Sequence, residues 1–96
     1  GWIQKSNSIV GNDVDVKEKV VMKLCGISDG CRVGPKSKLN NSIIMKNVII
    51  GENCTVQNCI VASGVVLEDN CNLNDCLVGK NVVIPTGTKT KNEVLT

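Results

Sequence analysis

Residues 31–67 read CRVGPKSKLNNSIIMKNVIIGENCTVQNCIVASGVVL, and within this stretch the same kinds of residue return every 17 positions. Val33, Ile50 and Leu67 form one series, Leu39 and Val56 a second, Ile44 and Val61 a third. Within one period the series lie 6, 5 and 6 residues apart (Val33 to Leu39, Leu39 to Ile44, Ile44 to Ile50), so each unit holds three short straight runs separated by three turns. Working outward, Val16 and Ile84 extend the first series, Met22 and Leu73 the second, and Val10, Ile27 and Val78 the third. A regular period of this length marks a repeat architecture, in which each unit buries its apolar side only by stacking on the next. The pattern predicts a three-sided coil repeated along the chain.

Strand side chains alternate with period 2, so the residue two positions before each series member should face the same way. Those positions hold Val14, Cys31, Val48, Val65 and Val82; Val20, Ser37, Cys54 and Cys71; and Ser8, Cys25, Ser42, Cys59 and Cys76. Large aliphatics thus alternate with compact residues, as a narrow close-packed interior requires. Between the runs lie Asp13, Gly30, Asn47, Gly64 and Asn81; Asn41, Asn58, Asp75 and Asn92; and Asn53, Asn70 and Gly87. These residue types accept the left-handed backbone conformation of tight turns. The expected fold is all-β, a parallel hexapeptide-repeat solenoid shaped as a three-sided prism with 17-residue coils. At about 4.8 Å per coil, five and a half coils span roughly 27 Å.

Composition agrees. Of 96 residues, 42% are hydrophobic and 1% aromatic, with no Phe, Tyr or His. Fifteen Val and nine Ile against the single Ala62 favour strands over helices. One domain, residues 1–96, fits this length, and a start at Gly1-Trp2 without an initiator Met reads as the C-terminal fragment of a longer chain. The net charge of +2 is scattered, without a cationic run or interleaved aromatics, so neither nucleic acid nor an anionic membrane is expected as a partner. No apolar stretch is long enough to cross a membrane as a helix, and no secretory signal is visible.

Six cysteines raise the question of disulfides or zinc, and their spacing answers it. The gaps of 6, 23, 5, 12 and 5 contain no CxxC pair, and histidine is absent. All six fall on inward columns, where they serve as compact core residues exchangeable with Ser37, Ser42 and valine. In-register thiols on adjacent parallel strands point side by side, a poor geometry for a disulfide. Buried reduced thiols fit a cytosolic location.

The stretches Asn41–Val48, Val56–Val61, Asp75–Gly79 and Asn92–Leu95 also carry a resemblance. They are similar to the C-terminal domain of the gamma subunit of eukaryotic translation initiation factor 2B, without gaps from about Ser8 to Leu95. The epsilon subunit of the same factor is similar, but there an aromatic residue tends to stand at the position of Met45. The resemblance implies a left-handed β-helix that follows a nucleotidyltransferase-like domain. It implies pairing of gamma with epsilon inside a complex that exchanges guanine nucleotide on initiation factor 2, with exchange itself a property of epsilon. The expected partners are therefore other subunits of the exchange complex, epsilon first, with initiation factor 2 as a further contact.

The residues themselves favour an interaction module. Outward positions carry large apolar side chains in two stacked stripes, Ile43, Ile60 and Leu77, and Ile49, Val66 and Val83, which form the candidate partner interface. No catalytic, cofactor-binding or metal-binding residue is expected. A hexapeptide-repeat acyltransferase typically uses a histidine base, a carbonic-anhydrase-like site needs histidine ligands, and no loop interrupts the coils to carry substrate-binding groups. The alternative is the regulatory or oligomerising tail of a sugar-nucleotide pyrophosphorylase, which would share this fold. Gly34 and Gly51 are expected at tight corners and not in a phosphate-binding loop. Lys19 and Lys36 stack in one corner column, and Lys89 and Lys91 lie near the end; these lysines would discourage edge pairing of the open coil, the alternative being contact with an acidic partner. Glu93 extends the column of Cys59 and Cys76, so the closed interior is expected to end there. Trp2 is expected to cover the other open end.

Overall fold

The computed structural model describes the backbone of residues 3–6 and 9–96, and side chains from Ile9 onward. The expectations for Trp2 and Ser8 lie outside the described residues. Among these residues every element is a strand, and none is a helix.

Three parallel sheets form the sides of a prism. The first contains Ile3–Ser6, Val20–Lys23, Lys38–Asn40, Thr55–Gln57, Asn72–Asn74 and Lys89–Lys91; the second contains Ile9–Val10, Gly26–Ile27, Ile43–Ile44, Ile60–Val61, Leu77–Val78 and Val94–Leu95. The third contains Asp15–Val16, Arg32–Val33, Ile49–Ile50, Val66–Leu67 and Val83–Ile84. Each strand pairs with its equivalents one coil away, as in Val56 opposite Leu39 and Leu73, or Val61 opposite Ile44 and Val78. The register is therefore the 17-residue period itself, and like residues stack on like. The longest dimension is 30 Å against 20 and 19 Å across, close to the axial length expected from the coil count.

The interior holds the expected columns. Met22, Leu39, Val56 and Leu73 are fully buried beneath the first sheet, and Ile44, Val61 and Val78 beneath the second. Val10, Val16 and Leu95, near the ends of the described prism, are only partly covered yet pack on the same core. A buried aliphatic side chain contributes about 1.5–3 kcal/mol, so this continuous column is the main source of cohesion between coils.

The cysteines and buried serines do more than fill space. Chain corners break the ladder and leave carbonyls pointing inward, and an unpaired buried carbonyl is costly. The Cys31 thiol donates to the Met45 carbonyl at 2.9 Å, Cys54 to Glu68 at 3.1 Å and Cys71 to Pro85 at 3.2 Å. The Ser37 hydroxyl makes the equivalent bond to Gly51 at 2.8 Å while accepting from the Cys54 amide at 3.2 Å. No buried side-chain nitrogen or oxygen among the described residues lacks a partner. All six thiols are buried and reduced. Burial pushes the thiols of Cys31, Cys54 and Cys59 up from their ordinary range, because a thiolate would be poorly solvated there.

Each corner turns on one residue of positive φ. Asp13, Gly30, Asn47, Gly64 and Asn81 turn the second sheet into the third, and Asn41, Asn58, Asp75 and Asn92 turn the first into the second, as expected. The remaining corner holds Asn53, Asn70 and Gly87, but its earlier members are Lys19 and Lys36, at φ 61° and 64°. The corner between first and second sheets begins with Leu24, at φ 54°. Asparagine side chains also stack: the Asn41 amide donates to Asn58 at 2.8 Å and the Asn53 amide to Asn70 at 3.1 Å.

Gly34 and Gly51 stand at corners, as expected, but neither has a positive φ, so the corner conformation is not what requires glycine there. A Cβ on Gly34 would lie 2.5 Å from the Gly51 carbonyl oxygen, and one on Gly51 would lie 2.9 Å from the backbone of Glu68. They are glycines because neighbouring coils approach there backbone to backbone.

Candidate protein-interaction surface

With the interior assigned, the prism offers three flat outer faces of different chemistry. On the first sheet the outward columns are Val21, Lys38, Thr55, Asn72 and Lys89, and Lys23, Asn40, Gln57, Asn74 and Lys91. On the second they are Ile9, Gly26, Ile43, Ile60, Leu77 and Val94. On the third they are Asp15, Arg32, Ile49, Val66 and Val83.

The first predicted stripe, Ile43, Ile60 and Leu77, is stacked strand on strand in the second sheet with side chains 53%, 42% and 46% exposed. The second, Ile49, Val66 and Val83, lies on the third sheet. The corner at Lys46-Asn47 separates the two stripes, so they form two faces and not one surface. Val66 departs from the expectation of an exposed side chain. It is half-buried, stacked between Ile49 and Val83 of the neighbouring coils.

Sequence reasoning missed the extent of the second-sheet face. Ile9, Val94, Leu24 and Met45 are also exposed, and they lengthen and widen the same stripe. The signal was present for two of them, since Ile9 and Val94 are Ile43 and Leu77 displaced by whole periods. Gly26 interrupts the column as a notch, where an added Cβ would meet nothing within 4 Å. A shallow depression beside it is lined by Leu24, Asn41, Ile43, Asn58 and Ile60. A leucine at positive φ is unusual, because its side chain crowds the backbone in that conformation, costing about 1–2 kcal/mol. At Leu24 that cost sets an exposed apolar side chain at the rim of an apolar face.

Charge on this face is sparse. The ion pair of Lys17 with Asp15, 2.9 Å, lies at the third sheet and is exposed, so it contributes little. Glu93 is exposed where the interior opens, as expected of a carboxylate in that column. No group of His, Cys, Asp and Glu that could hold a metal ion occurs among the described residues. No helix there is long and apolar enough to cross a membrane.

Uninterrupted three-sided coils with a closed aliphatic interior and flat exterior faces define a hexapeptide-type β-solenoid domain. The chain belongs to the family described as the EIF2B subunit epsilon LbH domain, whose model matches residues 3–90. That family is one of left-handed β-helices, so the parallel coils wind against the usual right-handed rule for crossover connections. Comparison with curated proteins gives no sequence match. Among solved structures, the chain is similar to a Bacillus cereus protein assigned as an acetyltransferase, with a TM-score of 0.45 and 15% identity over 90% of this chain and 76% of that one. It is also similar to a UDP-N-acetylglucosamine acyltransferase from Bacteroides fragilis, with a TM-score of 0.42 and 13% identity over 96% of this chain. The chain spans 62% of the length of that acyltransferase.

Proposed function

We propose that this domain is a non-catalytic scaffold in a translation initiation factor 2B-type exchange complex, in the gamma position, and that its second-sheet face docks the epsilon subunit. The observation that carries the reading is the apolar column Ile43, Ile60 and Leu77, extended by Ile9 and Val94 and rimmed by Leu24. A column of exposed aliphatics on a flat rigid face favours burial against another protein. The stacked prism holds that face in a fixed shape, so little conformational freedom is lost when a partner meets it. Met45, where the epsilon-type domain tends to carry an aromatic residue, supports the gamma position. The absence of histidine from the sequence and the lack of any insertion between coils among the described residues support a role without chemistry. Six buried reduced thiols suit the cytosol.

The test is sedimentation of the chain with the epsilon subunit, for the wild type and for Ile60→Glu combined with Leu77→Glu. Both residues face outward, so the double variant should fold. The expected result is a mixed complex for the wild type and a folded but free double variant. Equal binding by both would overturn the assignment of this face.

A further inference from the structure

The first sheet is a different kind of surface, and we infer that it is a docking face for an extended acidic peptide. Besides Val21, its described outward positions carry Lys23, Lys38, Lys89 and Lys91, separated by the polar residues Asn40, Thr55, Gln57, Asn72 and Asn74, with no Asp or Glu among them. All four lysines are exposed. No salt bridge ties any of them to a carboxylate, since the described ion pair is elsewhere. On a protein of only +2 net charge, this separation leaves one face cationic while the carboxylates sit at corners and on the third sheet.

Geometry selects the shape of the partner. Lysines cluster toward the two ends of the face, Lys23 with Lys38, and Lys89 with Lys91. From Lys23 to Lys91 is four coils, about 19 Å at 4.8 Å each, which an extended chain spans in about six residues. Between the clusters the Asn40 and Gln57 amides, and the groups of Asn72 and Asn74 left over from their mutual 2.9 Å hydrogen bond, offer donors and acceptors to a peptide backbone. Shallow depressions lie along this path, one lined by Asn72, Asn74, Lys89 and Lys91 with Glu93 on its rim, another by Thr55, Asn70, Asn72 and Lys89. Carboxylates flank both long edges: Glu52 and Asp69 at one corner, Asp75 and Glu93 at the other. They would repel an anionic chain lying along the strands, so the acidic segment crosses the strands, parallel to the prism axis.

A peptide fits better than nucleic acid. Single-stranded nucleic acid is bound through aromatic platforms and arginine as well as charge, and the described residues contain no aromatic side chain. The only arginine, Arg32, is on the third sheet.

Fluorescence anisotropy with a labelled peptide of eight glutamates, at low salt, tests the inference. The peptide should bind, and binding should weaken as salt is raised. Lys38→Glu combined with Lys89→Glu should weaken it about tenfold or more, given exposed charge pairs of this strength and reversal of each charge. Lys46→Glu combined with Lys80→Glu makes the same change in net charge at the corner between second and third sheets, and should change binding less than about twofold. Equal weakening by both pairs would mean net charge alone is at work and would overturn the proposal. So would absence of peptide binding, or tighter binding of an eight-nucleotide oligouridylate with the same first-sheet dependence. All variants alter exposed side chains, and unchanged circular dichroism confirms that each is folded.

Discussion

Gly34→Ala should destabilise the prism far more than one methyl group suggests. The added Cβ would stand 2.5 Å from the Gly51 carbonyl oxygen, 2.6 Å from its carbon and 2.9 Å from the Glu52 nitrogen. Ordinary contact begins near 3.4 Å, and every atom in the way is backbone, so the coils must part by nearly 1 Å. Overpacking of this kind costs about 1–3 kcal/mol. The ladder bond from the Gly34 amide to the Ile50 carbonyl, 2.7 Å, would stretch at the same point, for about 0.5–1.5 kcal/mol more. The stiffer unfolded chain of the alanine variant returns about 0.4–1 kcal/mol. The net loss is centred on about 2 kcal/mol within a span of about 0.5–4, a large part of the roughly 5–14 kcal/mol expected for 96 residues. Gly26→Ala is the control, because its Cβ meets nothing within 4 Å and the residue lies in a strand. It should stabilise by about 0.5–1 kcal/mol. Urea unfolding followed by circular dichroism measures both, and melting temperature should fall by roughly 10–20 °C for Gly34→Ala. A Gly34→Ala variant within about 0.5 kcal/mol of wild type would refute the claim that coil approach dictates this glycine.

Other consequences follow from the corners and the interior. Leu24→Asn should raise stability by about 1 kcal/mol, since asparagine accepts the left-handed conformation that leucine resists; a thermal melt that falls instead would contradict the strain at Leu24. Ser37→Ala should cost about 1–3 kcal/mol by stranding the Gly51 carbonyl and the Cys54 amide, whereas Ser37→Cys should cost less, because thiols make the equivalent bond elsewhere in the column. For Cys31, Cys54 and Cys59 the folded state holds its protons to higher pH than the unfolded state. Stability should therefore be level with respect to these thiols below about pH 8.5 and fall above it, by up to about 1.4 kcal/mol per pH unit for each thiol. Denaturant titrations at pH 7 and pH 10 check the sign, and valine at all three positions should flatten the dependence.

The columns were legible because the parallel register and the sequence period are the same quantity. Met22 over Leu39 over Val56 is both a spacing of 17 and a stack of paired strands. The corner residues were legible only where residue type signals conformation. Asn41 and Gly64 announce a positive φ, but Lys19, Lys36 and Leu24 take it without announcing it, held there by neighbours of the same column. The corner-capping role of Cys and Ser was hidden for another reason. Their place beside valine in an inward column shows that they are compact, while the carbonyl they satisfy belongs to a residue 14 positions onward.

The faces follow from the same logic. A strand of two to four residues offers each coil only one or two outward side chains, so repetition turns a choice at one position into a stripe along the molecule. That makes the second sheet apolar from Ile9 to Val94 and the first sheet polar and basic, without any loop being added. Function in such a prism lies in which column carries which chemistry.

The most direct test of the docking account is carbene footprinting of the chain alone and in complex with the epsilon subunit, since the probe labels exposed aliphatic side chains regardless of ladder hydrogen bonds. Labelling of Ile43, Ile60 and Leu77 should drop on complex formation while Ile49 and Val83 stay as labelled as before. Protection confined to Ile49 and Val83, or no protection of either stripe in an assembled complex, would contradict it.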